Sequence, residues 1–455
     1  MSFKIYGTFS FDTARSIYRV FALGLSLALC SPFLWANTQT QSLTLAQAIQ
    51  RSSDYQQSQG VWQTQQQIAS ANIKQAKLWI NPELSIEQTG FHSDQDRELA
   101  LGISQRLDLF GERKAKQKRA QLAQQQTTLK QQIYQAQLAL AVKYLWSQLA
   151  TFELERQVLQ EQLQVSEENL QAIQKRYQAG SVAQVDVDRA RLSHAENLRL
   201  FRQADLQVQV AQQYLSSAWG EREKNLTVAL SPQQLWPATT AEQVQQHLAA
   251  NLLERHRQLS VLESQAKIEQ LKAQSRSNPT LNIGVNRSQT LESNADNVLV
   301  VGVSVPLNLF DRQQYGRQIA QAQQTQLEQQ QGFYLKQNAL KVGSLLTELQ
   351  GLSIQFQALQ HTQLPLAQTV QQKTLQGFHV GKFSMLEVQQ ATLQLQEVRM
   401  RKVQLLKDAW QRALEAESLS LGIQPEQVMN KDAIAQMNQA LWQDTQALSV
   451  IGGGN

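Results

Sequence analysis

Two stretches of the chain alternate between apolar and small or polar residues. In the first, Leu99, Leu101, Ile103, Leu107 and Leu109 share one face, and Ala100, Gly102, Ser104, Arg106 and Asp108 share the other. In the second, Leu299, Val301, Val303, Val305, Leu307 and Leu309 oppose Val300, Gly302, Ser304, Pro306 and Asn308. A period of two predicts strands. Each stretch follows a shorter segment of similar character, so strand pairs are expected over 82–91 with 98–110 and over 279–290 with 298–310. The rest of the chain is patterned for helices. In 111–178 no proline intervenes, and Leu122, Leu129, Ile133, Leu138, Val142 and Leu145 recur at spacings of three to seven. At 1.5 Å per residue that helix would be about 100 Å long. Its apolar stripe needs other helices to cover it. Further helical stretches are expected at 43–79, 183–220, 241–277, 311–378 and 385–422, with 423–455 as a looser C-terminal tail.

These elements come twice in the same order. Asn81-Pro82 reappears as Asn278-Pro279, Leu109-Phe110 as Leu309-Phe310, and Tyr177-Gln178-Ala179-Gly180 as Phe378-His379-Val380-Gly381. Asp186 matches Glu387 and Gly220 matches Gly422, so the offset grows only from 197 to 202 along the chain. This is a tandem duplication: a first repeat at 37–220, a linker at 221–240 holding Pro232 and Pro237, and a second repeat at 241–422.

Composition agrees with long helices. Charged residues are 17%, prolines number 8, and about one residue in six is Gln. Gln-rich faces are neutral and wettable, which suits a water-filled wall better than a core. The net charge of +5 is small and evenly spread, which argues against a nucleic-acid partner. Lys4, Arg15 and Arg19 precede the apolar run Val20 to Leu29, and Leu34-Trp35-Ala36 can end it. Residues 1–36 therefore read as a secretory signal peptide. The only cysteine, Cys30, would leave with it. Leu29 stands where a lipoprotein signal would carry a small residue. No later segment has the 18 apolar residues of a membrane helix.

Catalytic chemistry is not apparent in the pattern. The six histidines form no pair at helical ligand spacing, and no His-Glu-x-x-His, Gly-x-Ser-x-Gly or phosphate-binding glycine loop occurs. No catalytic, cofactor or metal residues are assigned, and no enzyme activity or cofactor is expected. His92, Asp94 and Asp96 read as a solvated loop, and Lys114, Lys116, Lys118 and Arg119 as a solvated helix face.

An apolar face opposite a small or polar one over about ten residues is the pattern of a transmembrane β-barrel. It also fits a soluble hairpin lying over a core. Four strands cannot close a membrane barrel, and open edges are not tolerated in lipid. Membrane strands here would therefore have to be shared among several chains.

The repeated order of helix, strand pair, long helix, glycine turn and helix resembles the TolC-type outer-membrane efflux proteins. The phrases that carry the resemblance are Arg176-Tyr177-Gln178-Ala179-Gly180 with Val185-Asp186-Val187-Asp188-Arg189-Ala190, and Gly377-Phe378-His379-Val380-Gly381-Lys382-Phe383-Ser384 with Leu386-Glu387-Val388. Val305-Pro306-Leu307-Asn308-Leu309-Phe310 is similar to the cobalt–zinc–cadmium branch, which pairs with heavy-metal transporters of the RND type. The resemblance implies a mainly α fold with a small β part. Three chains would share a 12-stranded barrel in the outer membrane, with coiled-coil hairpins forming an α-barrel in the periplasm. It implies a passive duct, working with a periplasmic adaptor and an inner-membrane RND-type transporter, for heavy-metal cations or drugs. An exported trimeric coiled-coil stalk or adhesin is the alternative, and it would not need the strand pairs.

By the same resemblance, Gly180, Ser181, Gly381 and Lys382 form hairpin tips where the adaptor docks. Asp186, Glu387, Phe378 and Phe383 lie at the periplasmic gate. Phe378 and Phe383 stand where the family's best-known gate has a tyrosine and an arginine, so apolar packing is expected to replace a hydroxyl link and an ion pair. Ser384-x-x-Glu387 also fits a capping box, so the acids have a structural reading beside the functional one.

Overall fold

The computed structural model describes residues 42–91, 96–223, 225–228, 235–249, 251–289 and 295–451. The signal peptide, most of the His92–Asp96 loop and Pro232 of the linker lie outside the described residues. The first repeat contains α1 (Leu45–Ser58), α2 (Val61–Lys77), β1 (Glu83–Thr89), β2 (Arg97–Arg106), α3 (Glu112–Gln178) and α4 (Gln184–Ser217). The second contains α5 (Ala241–Ala249), α6 (Leu252–Gln274), β3 (Thr280–Gln289), β4 (Asp296–Ser304), α7 (Gln314–Ala358), α8 (Leu364–His379) and α9 (Met385–Leu421). Two further helices, α10 (Pro425–Val428) and α11 (Ala433–Ile451), replace the looser tail read from the sequence. They are held because Val428, Ala433, Ile434 and Met437 bury against the core, and the Tyr134 hydroxyl donates to Asn438 at 2.6 Å.

The helices neighbour one another in rows. Near the sheet the order is α2–α3–α6–α7; towards the hairpin tips it is α4–α3–α9–α8. The largest core lies along the middle of α3, where Leu138 to Val158 meet α1, α4, α9 and the chain around 226–235. Two tryptophans fasten the crossing segments. Trp146 Nε1 donates to the Leu43 carbonyl at 3.1 Å, Trp410 Nε1 donates to the Leu235 carbonyl at 2.8 Å, and the two indoles meet edge-on at 5.9 Å.

The long helices of the two repeats differ. Helix α3 runs unbroken for 67 residues, whereas α7 and α8 are joined through a π-turn at Leu359–Gln363. Pro365 lies just beyond it and has no N–H to give. Together α7, the π-turn and α8 run 66 residues, against the 67 of α3.

Candidate functional site

The four strands form one antiparallel sheet in the order β1-β2-β3-β4, with β1 and β4 as its edges. The register aligns the apolar residues into rows. Ile86 pairs with Leu101, Leu101 with Val285, and Val285 with Leu299. Leu84, Ile103, Ile283 and Val301 form the next row. All eight side chains are exposed, and Val303 beyond them is 65% exposed. The opposite face carries Ser85, Gly102, Gly284, Ser104 and Asn282. Among the described residues nothing packs over the apolar band, unlike the face of a soluble hairpin. Where the sheet meets the helices, aromatics gather with cations: the Arg113 guanidinium lies 4.2 Å from the Trp79 ring centroid, and Arg276 lies 5.6 Å from that of Phe110. Phe310 is 91% exposed. Exposed aromatics bordering an apolar band are what a membrane–water interface selects.

At the far end of α3 the first hairpin turns through Gly180, at φ +73°. The Gly180 N–H donates to the Tyr177 carbonyl at 2.9 Å, and the Ser181 N–H to the Arg176 carbonyl at 2.9 Å. The second hairpin repeats the motif: Gly381, at φ +77°, donates to Phe378 at 3.1 Å and Lys382 to Gly377 at 2.7 Å. This double bond closes a helix whose next residue is left-handed, which is why glycine stands at both tips. Ser181, Lys382 and both glycines are solvent-exposed.

The two acids six residues on are held differently. Glu387 closes a capping box: its Oε2 accepts the Ser384 N–H at 2.6 Å and the Ser384 hydroxyl at 2.8 Å. The backbone bond, then the hydroxyl, holds its carboxyl below the ordinary value of 4.5. In the first repeat Ala183 takes the place of Ser384 and offers no side-chain cap. Asp186 instead faces Arg189, 3.6 Å away on the same helix. Among the described residues no three His, Cys, Asp or Glu are grouped to hold a metal ion.

The aromatic pair also divides its work. Phe383 lies against its own hairpin, where a Cβ on Gly377 would come within 2.3 Å of its ring. Phe378 receives the Arg176 guanidinium of the other hairpin, 4.2 Å from its centroid. A cation over an aromatic face thus ties the two tips where apolar packing alone was expected. No local pattern in the sequence marks Arg176 as a partner of Phe378; only the pairing of the two repeats in space brings them together. Further along the same seam Arg399 pairs with Glu161 at 2.7 Å and Lys407 with Glu155 at 2.6 Å, and Lys143 pairs with Glu417. Met385 packs with Ile173 and Val187 across it.

Residues 44–221 match the model of the family described as outer membrane efflux protein. Over those residues the chain is similar to that family. The cobalt-zinc-cadmium resistance protein CzcC of Cupriavidus metallidurans is 28% identical over 248 residues, 53% of this chain. That match spans 58% of the relative's length, less than two thirds of it. Among solved structures, CusC, described in terms of folding and transmembrane channel formation, superposes with a TM-score of 0.65 at 18% identity, covering 83% of this chain and 92% of that one. The outer membrane protein VceC of Vibrio cholerae gives 0.62 at 15% identity, covering 84% and 96%. The fold of this chain is therefore that of these outer-membrane proteins over both repeats: mainly helical, with a small antiparallel sheet.

Proposed function

We propose that this chain is one protomer of a trimeric outer-membrane duct that lets solutes leave the periplasm passively. One observation carries the reading. A sheet with one apolar, uncovered face and two open edges continues into a helix of about 100 Å. Open edges are excluded from lipid, so the sheet must be completed by further copies. The helical rows support this, because their outer members carry uncovered apolar residues: Leu192 and Leu206 on α4, Leu340 and Ile354 on α7, and Leu366 on α8.

The partners follow from the two ends. The tips at Gly180-Ser181 and Gly381-Lys382 are the surface for a periplasmic adaptor, which links the duct to an inner-membrane transporter of the RND type. Asp186 and Glu387 ring the periplasmic mouth, six carboxylates in a trimer, with Asp186 the less restrained of the two. Phe378 and Phe383 hold the mouth closed, Phe378 through Arg176. The likeness to CzcC supports heavy-metal cations as cargo, and drugs are the second class. The Gln-rich wall supplies water-like polarity without charge selection, so cargo choice rests with the transporter.

Fractionation tests the reading. The protein should sediment with outer membranes and run on gels as a trimer that heat dissociates. A water-soluble trimer in the periplasm, or an extended stalk outside the cell, would replace the duct with the coiled-coil alternative. Cysteine at Ser181 should crosslink to an adaptor, whereas a cysteine midway along α4 should not.

A further inference from the structure

We propose that the sheet is continued from copy to copy in one defined register, with Ser304 of β4 directly opposite Ser85 of β1 in the neighbouring copy. The proposal rests on the trimeric reading above and adds the residue pairing to it. The argument is the internal repeat. Residues of β1 recur in β3 at an offset of 197, and those of β2 recur in β4 at 200. The two hairpins obey this equivalence: Glu83 pairs with Ser104, and their counterparts Thr280 and Ser304 pair with each other.

The junction between the repeats, β2 with β3, is thus a template for the junction between copies, β4 with β1. In the chain Ser104 pairs with Asn282 and Ile103 with Ile283. Moved by the offsets, these become Ser304 opposite Ser85 and Val303 opposite Ile86 of the next copy. The mapping keeps both faces intact: valine meets isoleucine on the lipid side and serine meets serine on the other. A slip of one residue would bring lipid-facing valine against Ser85 or Glu87. A slip of two keeps the faces, so the repeat alone selects between those registers.

The register also closes. The row Ile86, Leu101, Val285 and Leu299 continues at Gly90 of the next copy, so rows climb four residues per copy. Over three copies and twelve strands the stagger equals the strand number, a tilt of about 35°, within the range of membrane barrels.

The test is disulfide trapping of the full-length protein in outer membranes, in a Cys30→Ser background that leaves no other thiol. The Leu107 N–H donates to the Pro279 carbonyl, which makes Ser104 and Asn282 a non-hydrogen-bonded pair. Their counterparts Ser304 and Ser85 then sit with Cα atoms about 4.5 Å apart, within disulfide range. S304C with S85C should give chains linked into dimers and closed trimers on non-reducing gels. Its yield should be at least tenfold that of S304C with E83C or with E87C. The in-chain pair S104C with N282C calibrates oxidation. A larger yield from E83C or E87C would overturn the register and leave the trimer standing. No crosslink from any pair, with a heat-dissociable trimer still present, would overturn edge pairing. Loss of the trimer in the parent background would instead remove the duct reading itself.

Discussion

Replacing Val301 by arginine tests the membrane assignment at its most demanding point. The strand β4 runs from Asp296 to Ser304. At about 3.3 Å per residue and a tilt of about 35°, it spans about 22 Å along the membrane normal, close to the height of a barrel's apolar belt. Val301 falls near its middle and is exposed. A lipid-facing arginine at that depth costs about 2–4 kcal/mol in each copy. A trimer carries three, so assembly should suffer well beyond the tenfold that 1.4 kcal/mol represents. The assay is the yield of heat-dissociable trimer in outer membranes. Gly302→Arg is the control, because it lies on the opposite face and a Cβ there meets nothing within 4 Å. Val301→Arg should deplete the trimer more than tenfold while Gly302→Arg spares it. Equal yields from the two variants would refute the assignment of faces.

Three other expectations follow from the hairpins and the core. Gly377→Ala should loosen the second tip by about 1–3 kcal/mol, because its Cβ must displace the Phe383 ring; faster hydrogen exchange at 382–388, relieved by adding Phe383→Ala, would measure it. Asp186→Asn with Glu387→Gln should lower cation preference and divalent block in planar bilayers with the trimer intact, and unchanged conduction would leave the acids as helix caps alone. Burial pushes the Glu153 carboxyl up to about 7 from 4.5, against the lowering effects of the Val228 N–H and Arg156. The unfolded chain therefore releases this proton first. The stabilisation is full below pH 4.5 and is lost as pH rises to 7. Glu153→Gln should remove that slope from thermal melts between pH 4.5 and 7, and an unchanged slope would place the titration elsewhere.

Much of the architecture was legible because it is written in local terms. Strand pairs followed from alternation, and the tips from glycines that must be left-handed. The duplication placed the strand pair, the long helical stretch and the tip of the second repeat, but not the division into α5 and α6 or the π-turn between α7 and α8. Strand ends were overrun for a physical reason: the apolar alternation continues through Val305, Leu307 and Leu309, but the in-chain ladder stops at Ser304, before Pro306, which has no N–H. The capping box at Ser384 was readable three residues ahead of its acid. What stayed hidden depends on distant chain segments meeting. Arg176 over Phe378 and the ion pairs between α3 and α9 join residues about 200 or more positions apart. The last helices read as a tail because they fall outside the repeat, and they form against the flanks of α3 and α9.

The π-turn at Leu359–Gln363 also sets the phase of the second tip. One residue added to or taken from a plain helix turns everything beyond it by about 100°. A wide turn holds a residue in its own bulge, so α8 leaves it in a different phase from an unbroken helix of the same length. Phe378 meets Arg176 in the phase that the turn leaves. Straightening the turn would swing the ring away from its cation and part the two tips.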